Sequence, residues 1–306
     1  MIVVKDRQTV ISDKNAVEVH NLEYRYGKNK AVDKFSLLLG RGEILGLIGL
    51  NGAGKTTTLH LLLGFLRYSK GRIRVLGLDP KHDSIKILDR CGFFPEQGEP
   101  YGWMRIENLF RMGRYSYSNW DSSLCNMLSE QLHLDTHKRI RDLSKGMLVK
   151  TKLIFALTHR PEMLILDEPT NGLDPLSRYD ILKIIKSLAA QHDVTVLVAS
   201  HNLDEISEIA TQICIINKGK NLLSDSMNNI KSKYGLIELS SKIAVPDRLG
   251  NQVIRSKMNR DKLQCLVKDK TNPDVTDFIR QYGVKNATLR SLSLKELFVF
   301  ITRDMA

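Results

Sequence analysis

The chain has 306 residues, 42% hydrophobic and 26% charged. That balance excludes a fibrous repeat or a wholly disordered polymer and suits one large domain or a medium domain with a small companion, at roughly 100–200 residues per domain. Its 46 Lys and Arg against 34 Asp and Glu leave a net +12, which points toward nucleic acid, an anionic membrane surface or polyphosphate as partner.

Apolar runs such as Leu61–Leu66 and Val194–Ala199 fall far short of a membrane helix, and Met1 to Ile11 carry no secretory pattern. The dispersed Cys91, Cys125, Cys214 and Cys265 read as reduced, buried hydrophobes of a cytosolic protein. Residues 1–14 read as an extension ahead of the fold. Alternation at Val17, Val19 and Leu22 predicts a strand, and Phe35–Leu39 predicts another. Ile44–Ile48 is an apolar run that enters a glycine-rich turn and then a helix from about Thr56 to Leu66. From Leu134 the chain is polar at first, then helical through Phe155. Met163–Leu166 and Val194–Ala199 have the composition of strands buried on both faces. Between them Ser177–Leu188 places Ile181, Ile184, Ile185 and Leu188 on one side of a crossover helix. Such alternation predicts an α/β fold with a mostly parallel sheet.

Beyond Asn217-Lys218-Gly219-Lys220 the texture changes. Residues 226–306 hold 15 Lys and Arg against 8 Asp and Glu, so this part supplies +7 of the +12. Strand-like Leu236–Leu239 and Leu263–Val267, the prolines Pro246 and Pro273, and an apolar helix around Leu294–Ile301 predict a small α+β appendage.

Gly49-Leu50-Asn51-Gly52-Ala53-Gly54-Lys55-Thr56 is the most specific segment, fitting G-x-x-x-x-G-K-[ST] between a strand and a helix. Its glycines let the backbone N–H groups curl around an anion, and the helix N-terminus adds its positive dipole end. Lys55 would reach the β- and γ-phosphates of a nucleotide, and the Thr56 hydroxyl would sit on Mg²⁺. Met163–Leu166 then ends in Asp167 and Glu168, one carboxylate for Mg²⁺ and one to polarise an attacking water.

With these in place the chain resembles the ATP-binding cassettes of ABC transporters. Asp142-Leu143-Ser144-Lys145-Gly146-Met147 is similar to the family signature LSGGQ, with Lys145 and Met147 as departures. Asn171-Gly172-Leu173-Asp174 resembles the D-loop, and Ser200-His201 the switch histidine. The resemblance implies a P-loop NTPase core with an antiparallel β-subdomain and a helical signature subdomain at about 95–160. The cassette would occupy 15–225 and the appendage 226–306.

It further implies bound ATP and Mg²⁺, with Tyr26 stacked on adenine and Tyr24 as its competitor. Gly49, Asn51, Gly52, Ala53, Gly54, Lys55, Thr56 and Thr57 would hold phosphate. Thr56, Asp167 and either Glu96 or Gln97, at the Q-loop, would hold the metal. Glu168 and His201 would be catalytic. Ser144, Lys145 and Gly146 would face the ATP of a second cassette in a homo- or heterodimer, with Asp174 at that interface. The Tyr101-Gly102-Trp103-Met104 segment is a docking surface for the membrane subunit or, equally, packing within the helical subdomain.

The expected function is an ATPase subunit that powers export through a separate integral membrane permease, peripheral on the cytoplasmic face of the membrane. The alternatives are a soluble cassette ATPase acting on nucleic acid or ribosomes, which the charge suits, and a non-hydrolytic binding module. The absence of a second phosphate loop and of long coiled coils weighs against nucleic acid, which is not expected as a partner.

Overall fold

The computed structural model describes residues 14–98, 101–192, 194–240, 252–259, 261–282 and 286–302, so residues 1–13 of the expected extension, together with Pro246, lie outside the described residues. Strands β1 (Asn15–Tyr26), β2 (Asn29–Gly40) and β3 (Ile44–Ile48) lead into helix α1 (Lys55–Leu62), then β4 (Lys70–Val75), α2 (Pro80–Arg90) and β5 (Cys91–Phe94). Three helices follow: α3 (Ile106–Ser116), α4 (Ser122–Gln131) and α5 (Lys145–Leu157). Next come β6 (Met163–Asp167), α6 (Pro175–His192), β7 (Thr195–Ser200), α7 (Leu203–Ile209), β8 (Gln212–Asn217) and β9 (Lys220–Ser226). The remainder is α8 (Met227–Ser232), β10 (Gly235–Ser240), β11 (Val253–Asn259), β12 (Lys262–Val267), α9 (Pro273–Tyr282), β13 (Ala287–Arg290) and α10 (Leu294–Thr302).

The doubly buried strands β3, β6 and β7 set the centre of the molecule, because every residue in them is shielded from solvent. They lie in a six-stranded sheet of order β5-β6-β7-β3-β8-β9, parallel except for the β8–β9 pair. Successive side chains point to opposite faces. Leu45, Leu47, Ile165 and Leu197 therefore meet α1 and the first strands, while Ile44, Leu164, Leu166 and Val196 meet α5, α6 and α7. Each such side chain contributes roughly 1.5–3 kcal/mol of burial. An antiparallel sheet of order β2-β1-β4 covers the first face.

The helix after the glycine-rich turn is shorter than its composition predicts. It ends at Leu62 rather than Leu66. Gly64, at φ +77°, turns the chain left-handed, so that Gly64 N–H bonds the Leu61 carbonyl and Phe65 N–H the His60 carbonyl at 2.9 Å. That reciprocal cap closes a helix whatever apolar residues follow.

The last part of the chain forms an antiparallel sheet of order β11-β12-β10-β13. Ile237, Leu239, Cys265 and Val267 pack there with Val275 and Phe278 of α9. Helix α10 packs against both parts: Leu297, Phe298 and Ile301 join the main core with Ile206 and Ile209 of α7 and with Leu236 and Leu266 of the sheet, and Lys257 of β11 lies over the Phe300 ring at 4.3 Å. All four cysteines are free and buried, and burial pushes the Cys91 thiol up to about 12.

Among the central helices, His159 is buried and stacks on Tyr117 at 4.1 Å between ring centroids. Burial lowers its pKa, and Asp89 opposes that shift. The folded chain therefore takes up a proton on His159 less readily than the unfolded chain, which does so below about pH 6.5. Proton uptake by the unfolded state makes stability fall as pH drops through that range. His159→Phe is expected to flatten this dependence, read as a smaller difference in urea midpoint between pH 7 and pH 5; an unchanged difference would contradict the assignment.

Candidate functional site

Strand β3 delivers the chain to Gly49 with its side chains already committed to the core, and the turn from there to α1 is built from backbone. Gly54 caps α1 at φ +106°, and a Cβ there would lie 2.6 Å from the Ala31 carbonyl oxygen of β2. Only glycine allows that approach. The turn after β8 closes the other side, where Gly219 N–H bonds the Ala53 carbonyl at 2.9 Å. Inside this frame Lys55 is buried, its Nζ donating to the Gly49 carbonyl at 2.8 Å and the Leu50 carbonyl at 3.4 Å.

A cavity of about 840 Å³ opens over the loop. Asn51, Gly52, Gly54, Lys55, Thr56 and Thr57 line its floor, and Glu96, Gln97 and Glu168 line one wall. Gly49 and Ala53 shape the loop from behind without lining the cavity. Tyr26 stands at the rim, half exposed, with its ring edge-on to Tyr24 at 4.9 Å. Tyr24 packs against the core instead.

Asp167 ends β6 behind this wall. It is buried, and its Oδ2 accepts a 2.7 Å hydrogen bond from the Thr56 hydroxyl. Burial, with Glu96 and Glu168 nearby, pushes its carboxyl up to about 6, while the Thr56 bond opposes the rise. Oδ1 is buried without a hydrogen-bond partner. A buried acceptor beside a hydroxyl fits a Mg²⁺ held through one or two protein oxygens plus phosphate and water. Among the described residues no group of three His, Cys, Asp or Glu forms a fuller metal cage.

Glu168 is the most constrained residue of the site. It is buried with φ +48°, a left-handed conformation that costs a non-glycine residue about 1–3 kcal/mol. Its N–H bonds the Ala199 carbonyl of β7 at 2.9 Å, which fixes it to the neighbouring strand end. One carboxylate oxygen lies 3.1 Å from Lys55 Nζ, the other 2.8 Å from His201 Nδ1. Parallel pairing of β3, β6 and β7 thus brings the lysine, the carboxylate and the imidazole to one edge of the sheet.

Both open Q-loop candidates line the cavity, and Glu96 also accepts a 3.2 Å bond from the Asn171 side chain. Ser144 caps α5, its hydroxyl accepting from Met147 N–H at 3.3 Å. Ser144, Lys145 and Gly146 share a second hollow with Asp174 and Ser177, and no residue of that hollow lines the Lys55 cavity. Asp174 Oδ1 caps α6 through Leu176 and Ser177 N–H, both at 3.0 Å.

Sequence reasoning missed Asn29, Lys30 and Lys218, which also line the cavity. Lys218 lay in view, in the Asn217–Lys220 turn that marks the change of texture. Its place beside the phosphate loop follows from the antiparallel return of β9, which no local pattern reveals.

Residues 32–171 match the family described as ABC transporter. The bacitracin transport ATP-binding protein BcrA of Bacillus licheniformis is 33% identical over 71% of this chain and 72% of its own. The Nod factor export ATP-binding protein I of Paraburkholderia xenovorans is 32% identical over 95% of this chain and 98% of its own. Among solved structures, an ATP-binding subunit of an ABC transporter superposes with a TM-score of 0.65 at 24% identity, over 71% of this chain and 92% of that one. A dimeric ATP-binding cassette bound to ADP and phosphate superposes at 0.62 with 20% identity, over 69% and 98%.

Proposed function

Because the chain belongs to the ABC transporter family of ATP-binding cassettes, we propose that it hydrolyses ATP to drive export through a separate membrane permease. The observation that carries this reading is the meeting of Lys55, Glu168 and His201 at the mouth of the phosphate loop. ATP would lie in the cavity with its adenine on the face of Tyr26 and its triphosphate over the loop amides. Lys55 would exchange loop carbonyls for phosphate oxygens. Thr56, Asp167 and Glu96 or Gln97 would hold Mg²⁺, which neutralises phosphate charge when bound.

Glu168 accepts a proton from water as the water oxygen bonds the γ-phosphorus. The bond to the bridging oxygen then breaks, leaving ADP and phosphate. His201 orients the carboxylate and faces the γ-phosphate. Because Lys55 contacts one oxygen of Glu168 and His201 the other, withdrawal of Lys55 onto phosphate frees one oxygen of the base.

The second hollow, with Ser144, Lys145, Gly146 and Asp174, lies apart from this cavity. A second copy of the chain, placed head to tail, would bring that hollow onto the first copy's γ-phosphate. The dimeric cassette among the structural relatives supports this pairing.

No helix among the described residues is long and apolar enough to cross a membrane. The export reading draws on the bacitracin and Nod factor relatives, which also weigh against nucleic acid as the working partner. Tyr101 and Trp103, two-thirds exposed and stacked at 5.9 Å, supply the surface proposed for a permease at the cytoplasmic face of the membrane. Affinity purification of the full chain from detergent-solubilised membranes is expected to recover an integral membrane protein. Tyr101→Ala with Trp103→Ala should lose it while keeping ATP turnover. Recovery of nucleic acid instead of a membrane protein would contradict the reading.

A further inference from the structure

Glu205 is a buried carboxylate outside the cavity, four residues beyond His201 on α7. Burying a carboxylate is costly unless it is paired and hydrogen-bonded. Glu205 is met by one partner from its own helix cap and two from other segments. The Thr170 hydroxyl donates to Oε2, the Asn202 side-chain amide donates to Oε1 at 2.8 Å, and Arg178 Nε lies 2.9 Å from Oε1.

Each partner belongs to a loop end of the site. Thr170 stands two residues after Glu168, and Asn202 directly follows His201. Arg178, on α6, also reaches the Leu173 carbonyl at 3.5 Å, next to Asp174. Asn202 Oδ1 in turn caps α7, accepting from Asp204 N–H at 3.2 Å and Glu205 N–H at 3.5 Å. Neither Glu205 nor any of these three partners lines the nucleotide cavity.

We propose that Glu205 is a positioning residue for hydrolysis: it clamps the Thr170–Asp174 loop to the segment carrying His201, and so holds Glu168 against His201. The inference deepens the site reading above and rests on Glu168 and His201 being the hydrolytic pair. A clamp of this kind acts on geometry at the γ-phosphate, where a small displacement of a reacting group lowers rate steeply. It leaves the phosphate loop alone, because that loop is anchored elsewhere, by the Gly219 N–H bond to the Ala53 carbonyl. The clamp therefore predicts a loss confined to turnover.

The test compares full-length wild type, Glu205→Gln and Thr170→Val in steady-state turnover of Mg·ATP, with the stoichiometry of bound ATP measured in parallel. Glu205→Gln keeps the shape and removes the charge facing Arg178; Thr170→Val removes one hydroxyl. The expected result is a kcat roughly ten- to a hundredfold lower in Glu205→Gln and a smaller loss in Thr170→Val, each with KM within about twofold of wild type and full ATP stoichiometry. Should Glu205→Gln not fold, the Thr170→Val result decides by the same criteria. Wild-type kcat in the folded variants overturns the proposal, and so does a loss of kcat matched by a loss of binding sites, which a merely structural role would give. Glu168→Gln, run alongside, tests the underlying reading. Lost turnover there with wild-type turnover in Glu205→Gln sinks the clamp alone, whereas undiminished turnover in Glu168→Gln sinks the pair on which it rests.

Discussion

Lys55→Ala is expected to weaken ATP binding by about tenfold to a hundredfold, the worth of one charge-assisted contact of about 1.5–3 kcal/mol. Lys55 is the buried cation of the loop, already stripped of water and fixed by the Gly49 and Leu50 carbonyls, so little ordering remains to be done when phosphate arrives. Lys30 and Lys218 line the same cavity, but Lys30 is tied to Asp33 and Glu23, so it is poorly placed to substitute. Removing Lys55 also deprives buried Glu168 of one of its two close side-chain partners, the other being His201. Equilibrium titration with a fluorescent ATP analogue checks the outcome, and wild-type affinity in the variant would contradict the role given to Lys55.

Glu168→Gln is expected to lower turnover by about 10²–10⁴-fold while ATP still binds. Glutamine keeps the size of the side chain and can still bond His201, but its amide cannot take a proton from water at neutral pH. The backbone supports the assignment. A left-handed φ of +48° at a buried glutamate is sustained only because β6 and β7 hold both sides of it, through the Ala199 carbonyl and the His201 contact. Strain of this kind is retained where a side chain must point one way. Phosphate release measured against bound ATP separates the two effects, and wild-type turnover in the variant would remove Glu168 from the mechanism.

Much of this arrangement was legible in the sequence because its causes are local. Met163–Leu166 and Val194–Ala199 read as strands buried on both faces from their apolar, β-branched composition, and β6 and β7 are buried along their whole length. The phosphate loop declared itself by its glycine and lysine spacing between a strand and a helix, and the fold adds that a Cβ on Gly54 would lie 2.6 Å from the Ala31 carbonyl oxygen. Tyr26 and Tyr24 could not be told apart by composition; two residues apart on a regular strand they would share a face, but the pairing of β1 with β2 shifts register between Tyr24 and Arg25, and one lies at the cavity rim while the other packs against the core. Glu96 and Gln97 stayed open for a similar reason, and the fold brings both to the wall.

What the sequence withheld depends on distant segments meeting. Thr170, Arg178 and Glu205 are ordinary loop and helix residues until β6 and β7 pair and set α6 beside α7. Lys218 stood out only as part of the segment where the texture changes, and it lies at the nucleotide cavity. The apolar helix at the C-terminal end was legible as a helix that packs between the appendage and the cassette, and α10 does so, sharing one core with α7 and with Leu236 and Leu266 of the small sheet. The +7 of residues 226–306 thus sits on a segment joined to the main core through α8, α10 and the sheet residues Leu236 and Leu266.

The head-to-tail pairing proposed above sets ATP between two cassettes, so ATP is expected to hold them together and its hydrolysis to release them. Light scattering on the purified Glu168→Gln chain tests it most directly. The account predicts a two-chain particle with Mg·ATP and single chains with Mg·ADP; the single-chain mass under both conditions would contradict it.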